Sequence, residues 1–124
     1  MRDYTFADLW RCYPHHKARS KKAVSEAIFK AVINGGRSTK VDGLSLFLQA
    51  KPDEIVRAAK AYHMIFIKAR TPADGIDLQY SAALNVWLNQ GRFLDLEDED
   101  RDSLAAQYDA YKEGRTNGGL RLVK

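Results

Sequence analysis

Pro14 and the Asn34-Gly35-Gly36 triplet bracket the stretch that most limits what this chain can become. Proline lacks a backbone donor and collides with the preceding turn, so an aromatic-rich helix beginning near Thr5 must stop before it. Glycine tolerates the left-handed dihedrals of a helix C-terminus, so a second helix, opened by Ser20, must stop at Ile33. Between Arg11 and Lys22 lie five basic side chains (Arg11, Lys17, Arg19, Lys21, Lys22), with His15 and His16 and no acid. The spacing predicts two amphipathic helices joined by a short, strongly cationic link.

The chain on either side reads as further helix. Thr5 suits an N-cap with Asp8 at the capping-box position, and Phe6, Leu9, Trp10 and Tyr13 form the apolar side of the first helix. In the second, Val24, Ala27, Ile28, Ala31 and Val32 follow the spacing of one buried face. Residues 37–43 read as an exposed loop. Residues 43–50, GLSLFLQA, fit a short helix through Leu44, Phe47 and Leu48, or a brief strand through Leu44, Leu46 and Leu48; the helix is favoured. Pro52, with Asp53 and Glu54 in the first turn, starts a third helix whose stripe is Ile55, Val56, Ala59, Tyr62, Phe66 and Ala69. A breaker segment, residues 70–75, ends it. Ser81 is expected to cap a compact helix with Leu84, Trp87 and Leu88 inward and Gly91 as its stop. A last helix, from about Asp98 to Glu113, places Leu104, Ala105, Tyr108 and Tyr111 on one side. The expected fold class is all-α: a small single-domain bundle of four to five helices over residues 1–113, with a variable loop near 34–51 and a flexible basic tail at 114–124.

Length and composition bound the function. A chain of 124 residues, 45% hydrophobic and 29% charged, supports one soluble domain with a real core. Cys12 is the only cysteine, which excludes an internal disulfide and any multi-cysteine zinc site. The N-terminus has no apolar signal region, and the nearly apolar run Ala61–Ile67 is too short to cross a bilayer. A cytoplasmic protein is expected. Net charge is +4 but split: residues 1–70 carry 14 Lys/Arg against 6 Asp/Glu, and residues 71–124 carry 6 against 10. Such a split favours a directed charged face over uniform coating of nucleic acid.

Two separated stretches carry a resemblance. FADLWRCYPHHKARSKKAVSEAIFKAV shows an F-x-x-x-W-x-x-Y-P pattern followed by spaced lysines, and SAALNVWLNQGRFLD looks like a closing W-L-N-x-x-R-W-x-D motif. Together they resemble the C-terminal domain of bacteriophage and prophage replication proteins of the replication-initiator or helicase-loader type, over roughly residues 5–95 with a gap near 34–51. Here His15-His16 replace a single residue before the lysine, Ala83 stands near a usual proline, and Phe93 replaces the second tryptophan. The resemblance implies DNA, a replicative helicase and phage replication as the setting; it implies no catalytic residue.

The residues themselves point to binding chemistry. Arg11, His15, His16, Lys17, Arg19, Lys21 and Lys22 are the candidate nucleic-acid contacts, because clustered cations neutralise phosphates and release counterions. Lys21 and Lys22 oppose the helix dipole, so helix stability does not account for them. Trp10 and Trp87 read as core more readily than as base-stacking platforms. Asn89, Arg92, Asp95, Glu97 and Asp98 are the candidate protein-partner residues. The acidic run Asp95–Asp102 serves equally as helix N-terminal charge bias, or as a phosphate mimic turned toward a host protein. No metal site and no cofactor are expected, since adjacent histidines rarely share one ion and no phosphate loop or nucleophile motif occurs. The expected role is a nonenzymatic replication accessory. Its rival is a phage-encoded inhibitor of a host nucleic-acid-handling or defence complex, and a metal-dependent nuclease is a distant third.

Overall fold

The computed structural model describes residues 4–15, 20–69 and 82–116. Within them the chain is mostly helical with one β-hairpin, in the order α1 (Phe6–Cys12), α2 (Lys22–Ile33), β1 (Arg37–Val41), β2 (Leu44–Leu48), α3 (Pro52–Ala69), α4 (Leu84–Asn89), a 3-10 turn (Arg92–Leu94) and α5 (Asp98–Thr116). The breaker segment 70–75, the Ser81 cap and residues 117–124 of the expected tail lie outside the described residues.

The hairpin corrects the all-α expectation and the helix favoured after Gly43. β1 and β2 pair antiparallel with Val41 opposite Leu44, which leaves Asp42-Gly43 as a two-residue turn. Both turn residues have positive φ, 52° and 82°, as a type I′ connection requires. An Asp-Gly pair followed by Leu44, Leu46 and Leu48 in alternation is a strong hairpin signal, and here it overrides helical spacing.

α3 is the central element, packed on α1, α5 and the 3-10 turn. Its buried residues include Ile55, Val56, Ala58, Ala59, Ala61, Met64 and Ile67. They surround the helix more fully than the single stripe its spacing suggested, while Tyr62 and Phe66 are only partly covered. α2 is also turned relative to expectation: Ser25, Ile28, Phe29 and Val32 are buried, whereas Val24 and Ala27 are exposed. Phe29 sets this rotation by packing against the Phe6 ring of α1, centroids 5.8 Å apart. The helix does stop at Asn34-Gly35-Gly36, where the Gly36 N–H donates to the Ala31 carbonyl in a Schellman closure.

α1 forms with the expected cap: the Asp8 carboxylate accepts from both the Thr5 backbone N–H and the Thr5 hydroxyl. Ser20 acts elsewhere than expected. α2 begins at Lys22, and the Ser20 oxygen accepts the Leu84 N–H at 2.8 Å, capping the start of α4 across the molecule. In return the Asn85 side-chain oxygen of α4 accepts the Lys21 N–H. Each helix start thus satisfies an orphan donor of the other.

The two sequence motifs meet in one aromatic core. Tyr13 lies edge-on to Trp87 at 5.3 Å, and Trp87 in turn contacts Tyr62 and Phe93. The Tyr13 hydroxyl donates to the Ala82 carbonyl and the Tyr62 hydroxyl accepts the Ala82 N–H, which fixes the entry to α4. Gly91 ends α4 at φ 67°, and Leu48 of the hairpin packs against it so closely that a methyl there would meet a Leu48 Cδ at 2.6 Å. Among the described residues no helix is long and apolar enough to cross a membrane.

Candidate nucleic-acid interface

Tyr13, Pro14 and His15, at the start of the cationic link, are not themselves available to a ligand. Pro14 and Tyr13 are buried, and His15 is half-buried with both ring nitrogens occupied. Its Nε2 lies 2.9 Å from the Trp10 carbonyl and its Nδ1 lies 3.1 Å from the Ser20 hydroxyl. One tautomer satisfies both: Nε2–H donates to the carbonyl, and Nδ1 accepts from the hydroxyl whose oxygen receives the Leu84 N–H. The ring also sits 4.3 Å from that of Trp10. His15 therefore joins Trp10 of α1 to Ser20, a role its neighbourhood of cations concealed.

Of the other six cationic candidates, Arg11, Lys21 and Lys22 are described and exposed; His16, Lys17 and Arg19 lie outside the described residues. Arg11 is tied to the Asp8 carboxylate one turn back. Lys21 and Lys22 have no carboxylate partner among the described residues, and the first turn of α2 holds no acid. Two ammonium groups thus stand at the positive end of that helix's dipole, where their potential adds to that of the unpaired N–H groups.

Lys22 opens onto a groove between α1 and α2 of about 770 Å³. Phe6, Trp10, Phe29 and Ile33 supply its apolar side, and Arg11, Lys22 and Lys30 its cationic rim. The Lys22 ammonium lies 5.3 Å from the centre of the Trp10 ring, a cation–π contact. Lys30 pairs with Glu26 at 3.4 Å across exposed helix surface, an attachment worth less than ~1 kcal/mol and readily exchanged. Lys30 was missing from the candidate set, although Lys22, Glu26 and Lys30 stand at i, i+4 and i+8 and so had to share a face.

The candidate partner residues divide. Asn89 is occupied: its side-chain oxygen accepts from Arg37 Nε and Nη2 and from the Thr39 hydroxyl, at 3.0–3.2 Å, and so clamps the hairpin to α4. Arg92 lies over the Tyr62 ring, 5.5 Å from its centre, and reaches Asp95 only at 3.9 Å. Asp95, Glu97 and Asp98 are exposed, the last paired with Arg101 at 3.3 Å. Asp102, within the same acidic run, accepts from Arg101 and Arg57, and these hydrogen bonds hold its carboxyl below the usual range. Arg101 is buried and ties α5 to itself and to α3 through this carboxylate, a role not anticipated.

Other perturbed groups are structural. Burial pushes the Cys12 thiol up to about 12, so it stays protonated and unreactive. Burial lowers the pKa of His63, whose Nδ1 donates to the Cys12 carbonyl at 2.9 Å. Among the described residues no three His, Cys, Asp or Glu side chains are grouped to hold a metal ion. The chain matches no protein-family model, no curated protein and no solved structure.

Proposed function

We propose that this chain is a nonenzymatic nucleic-acid-binding accessory of the phage-replication type, acting in the cytoplasm, which grips phosphates with the face around the start of α2. The observation that carries this reading is the pair Lys21 and Lys22, without a carboxylate partner among the described residues, on the positive end of a helix dipole and beside a partly exposed Trp10. Arg11 and Lys30 extend the cationic rim, and the apolar side of the groove offers contact to bases. Binding is electrostatic and largely independent of base sequence. A second surface, at Arg92–Asp98, meets a protein such as a replicative helicase.

Fluorescence anisotropy of labelled single- and double-stranded oligonucleotides, at low and moderate salt, tests this. Affinity falls linearly on a log–log plot against salt, and Lys21→Glu/Lys22→Glu removes it. Absence of binding at low salt overturns the reading. A second reading, an inhibitor of a host nucleic-acid-handling or defence complex, draws on Leu94, 58% exposed just before Asp95 and Glu97. An apolar knob bordered by acids suits a basic protein surface that ordinarily holds phosphates. It predicts no affinity for oligonucleotides in isolation and loss of partner capture in Leu94→Ser.

A further inference from the structure

The hairpin has two edges, and only one carries charged side chains. β1, RSTKV, carries Arg37 and Lys40, the kind of side chain that discourages further strands from joining. β2, LSLFL, carries no charge, no proline and no bulge, and four of its five residues are exposed. Leu44 and Phe47 are 68% and 62% exposed, and Leu46 38%.

Register fixes which backbone groups are free. A two-residue turn makes Val41↔Leu44 a hydrogen-bonded pair, so alternation makes Thr39↔Leu46 and Arg37↔Leu48 the next ones. The N–H and C=O groups of Ser45 and Phe47 therefore point away from β1, and no backbone group of the described residues outside the ladder bonds to them.

We infer that β2 pairs with β2 of a second copy, antiparallel and in register about Leu46, giving a four-stranded sheet β1-β2-β2-β1. In this register Ser45 of each copy faces Phe47 of the other, so all the outward donors and acceptors of both residues are satisfied. Leu46 opposes its own counterpart in a close, non-hydrogen-bonded pair, Leu44 opposes Leu48, and the two Phe47 rings lie on the diagonal, within reach of one another. The segment is self-complementary, which an isologous two-fold contact demands. β2 carries no charge, so no like charges meet across the strand pair itself. Arg37 and Lys40 end up on the outer strands of the new sheet, so assembly closes at the dimer instead of growing into a fibre. The contact area is small, so the dimer is weak and concentration-dependent.

Sedimentation velocity from low to high protein concentration reads the association, and single cysteines read the register. Cys12, the native thiol, is buried and stays out of the reaction. Leu46→Cys forms a disulfide-linked dimer under mild oxidation, because residues paired in this way stand about 4.5 Å apart at Cα, within disulfide reach. Leu44→Cys does not, although Leu44 is the more exposed, because its two copies lie about 14 Å apart along the strands. Leu46→Lys weakens the dimer by about tenfold or more, and mixing Leu46→Lys with Leu46→Glu restores it. A wild-type chain that stays monomeric at every concentration overturns the inference. So does cross-linking through Leu44→Cys equal to that through Leu46→Cys, or binding of a different protein's strand in place of a second copy.

Discussion

Ser25 lies on the buried face of α2 with its hydroxyl oxygen unpartnered among the described residues. An unsatisfied hydroxyl in an apolar setting costs about 1–3 kcal/mol, and removing it leaves a space of only one atom. Ser25→Ala should raise stability by about 1 kcal/mol, seen as a higher urea midpoint with an unchanged slope. Gly91 makes the opposite case. Its left-handed φ and the Leu48 side chain against it both exclude a methyl. Gly91→Ala should cost about 2 kcal/mol by the same measurement, from strain and hairpin repacking together. Gly91 was readable in the sequence as a helix stop, but its contact with Leu48 was not, since that contact spans more than forty residues. Ser20 shows the same limit: a serine before an amphipathic run is a cap by local rule, yet which helix it caps depends on where the chain returns.

At the scale of elements, His63 gives α3 a pH dependence near neutrality. His63 is held neutral by burial while its Nδ1–H serves the Cys12 carbonyl of α1. Its folded pKa lies below the ordinary 6.5, so the unfolded chain takes up the proton first on acidification. Its contribution is therefore fully present above about pH 6.5, declines as pH falls through that value, and levels off below the folded pKa. His63→Asn keeps a donor near the same place and removes the titration. Urea unfolding between pH 7 and pH 5 should show a shallower loss of stability in that variant than in the wild type. Element placement was largely legible: α1, α3 and α5 begin where their caps and first-turn acids put them. The phase of α2 was not, because small residues at Ala27 and Ala31 fit either face and only the Phe29–Phe6 contact decides. The hairpin was not legible from apolar spacing, because Leu44, Phe47 and Leu48 also fit a helix face and only the two-residue Asp42-Gly43 turn separates the two.

Across the whole molecule, the uneven charge of the sequence resolves into two uses. Acids of the second half neutralise cations of the central helix: Asp102 with Arg57, and Asp109 with Lys60 at 2.9 Å. The cations left without a carboxylate among the described residues include Lys21 and Lys22, which is why the functional reading rests there. Half of that site was legible, since the cluster is plain in the sequence. The groove was not, because it needs Phe29 and Lys30 of one helix to face Trp10 of another. The motif residues Tyr13, Trp87, Leu88 and Phe93 are buried together, so they speak first of how the chain packs and only then of what it does.

The two tryptophans occupy opposite surroundings, and that has an optical consequence. Trp87 is sealed in the aromatic core, 1% exposed, so its emission should lie toward the blue and report only on folding. Trp10 stands half-open with an ammonium over its ring, so its emission should lie further to the red and respond to whatever displaces Lys22. With Trp87→Phe, the chain becomes its own single-colour sensor for occupancy of the groove.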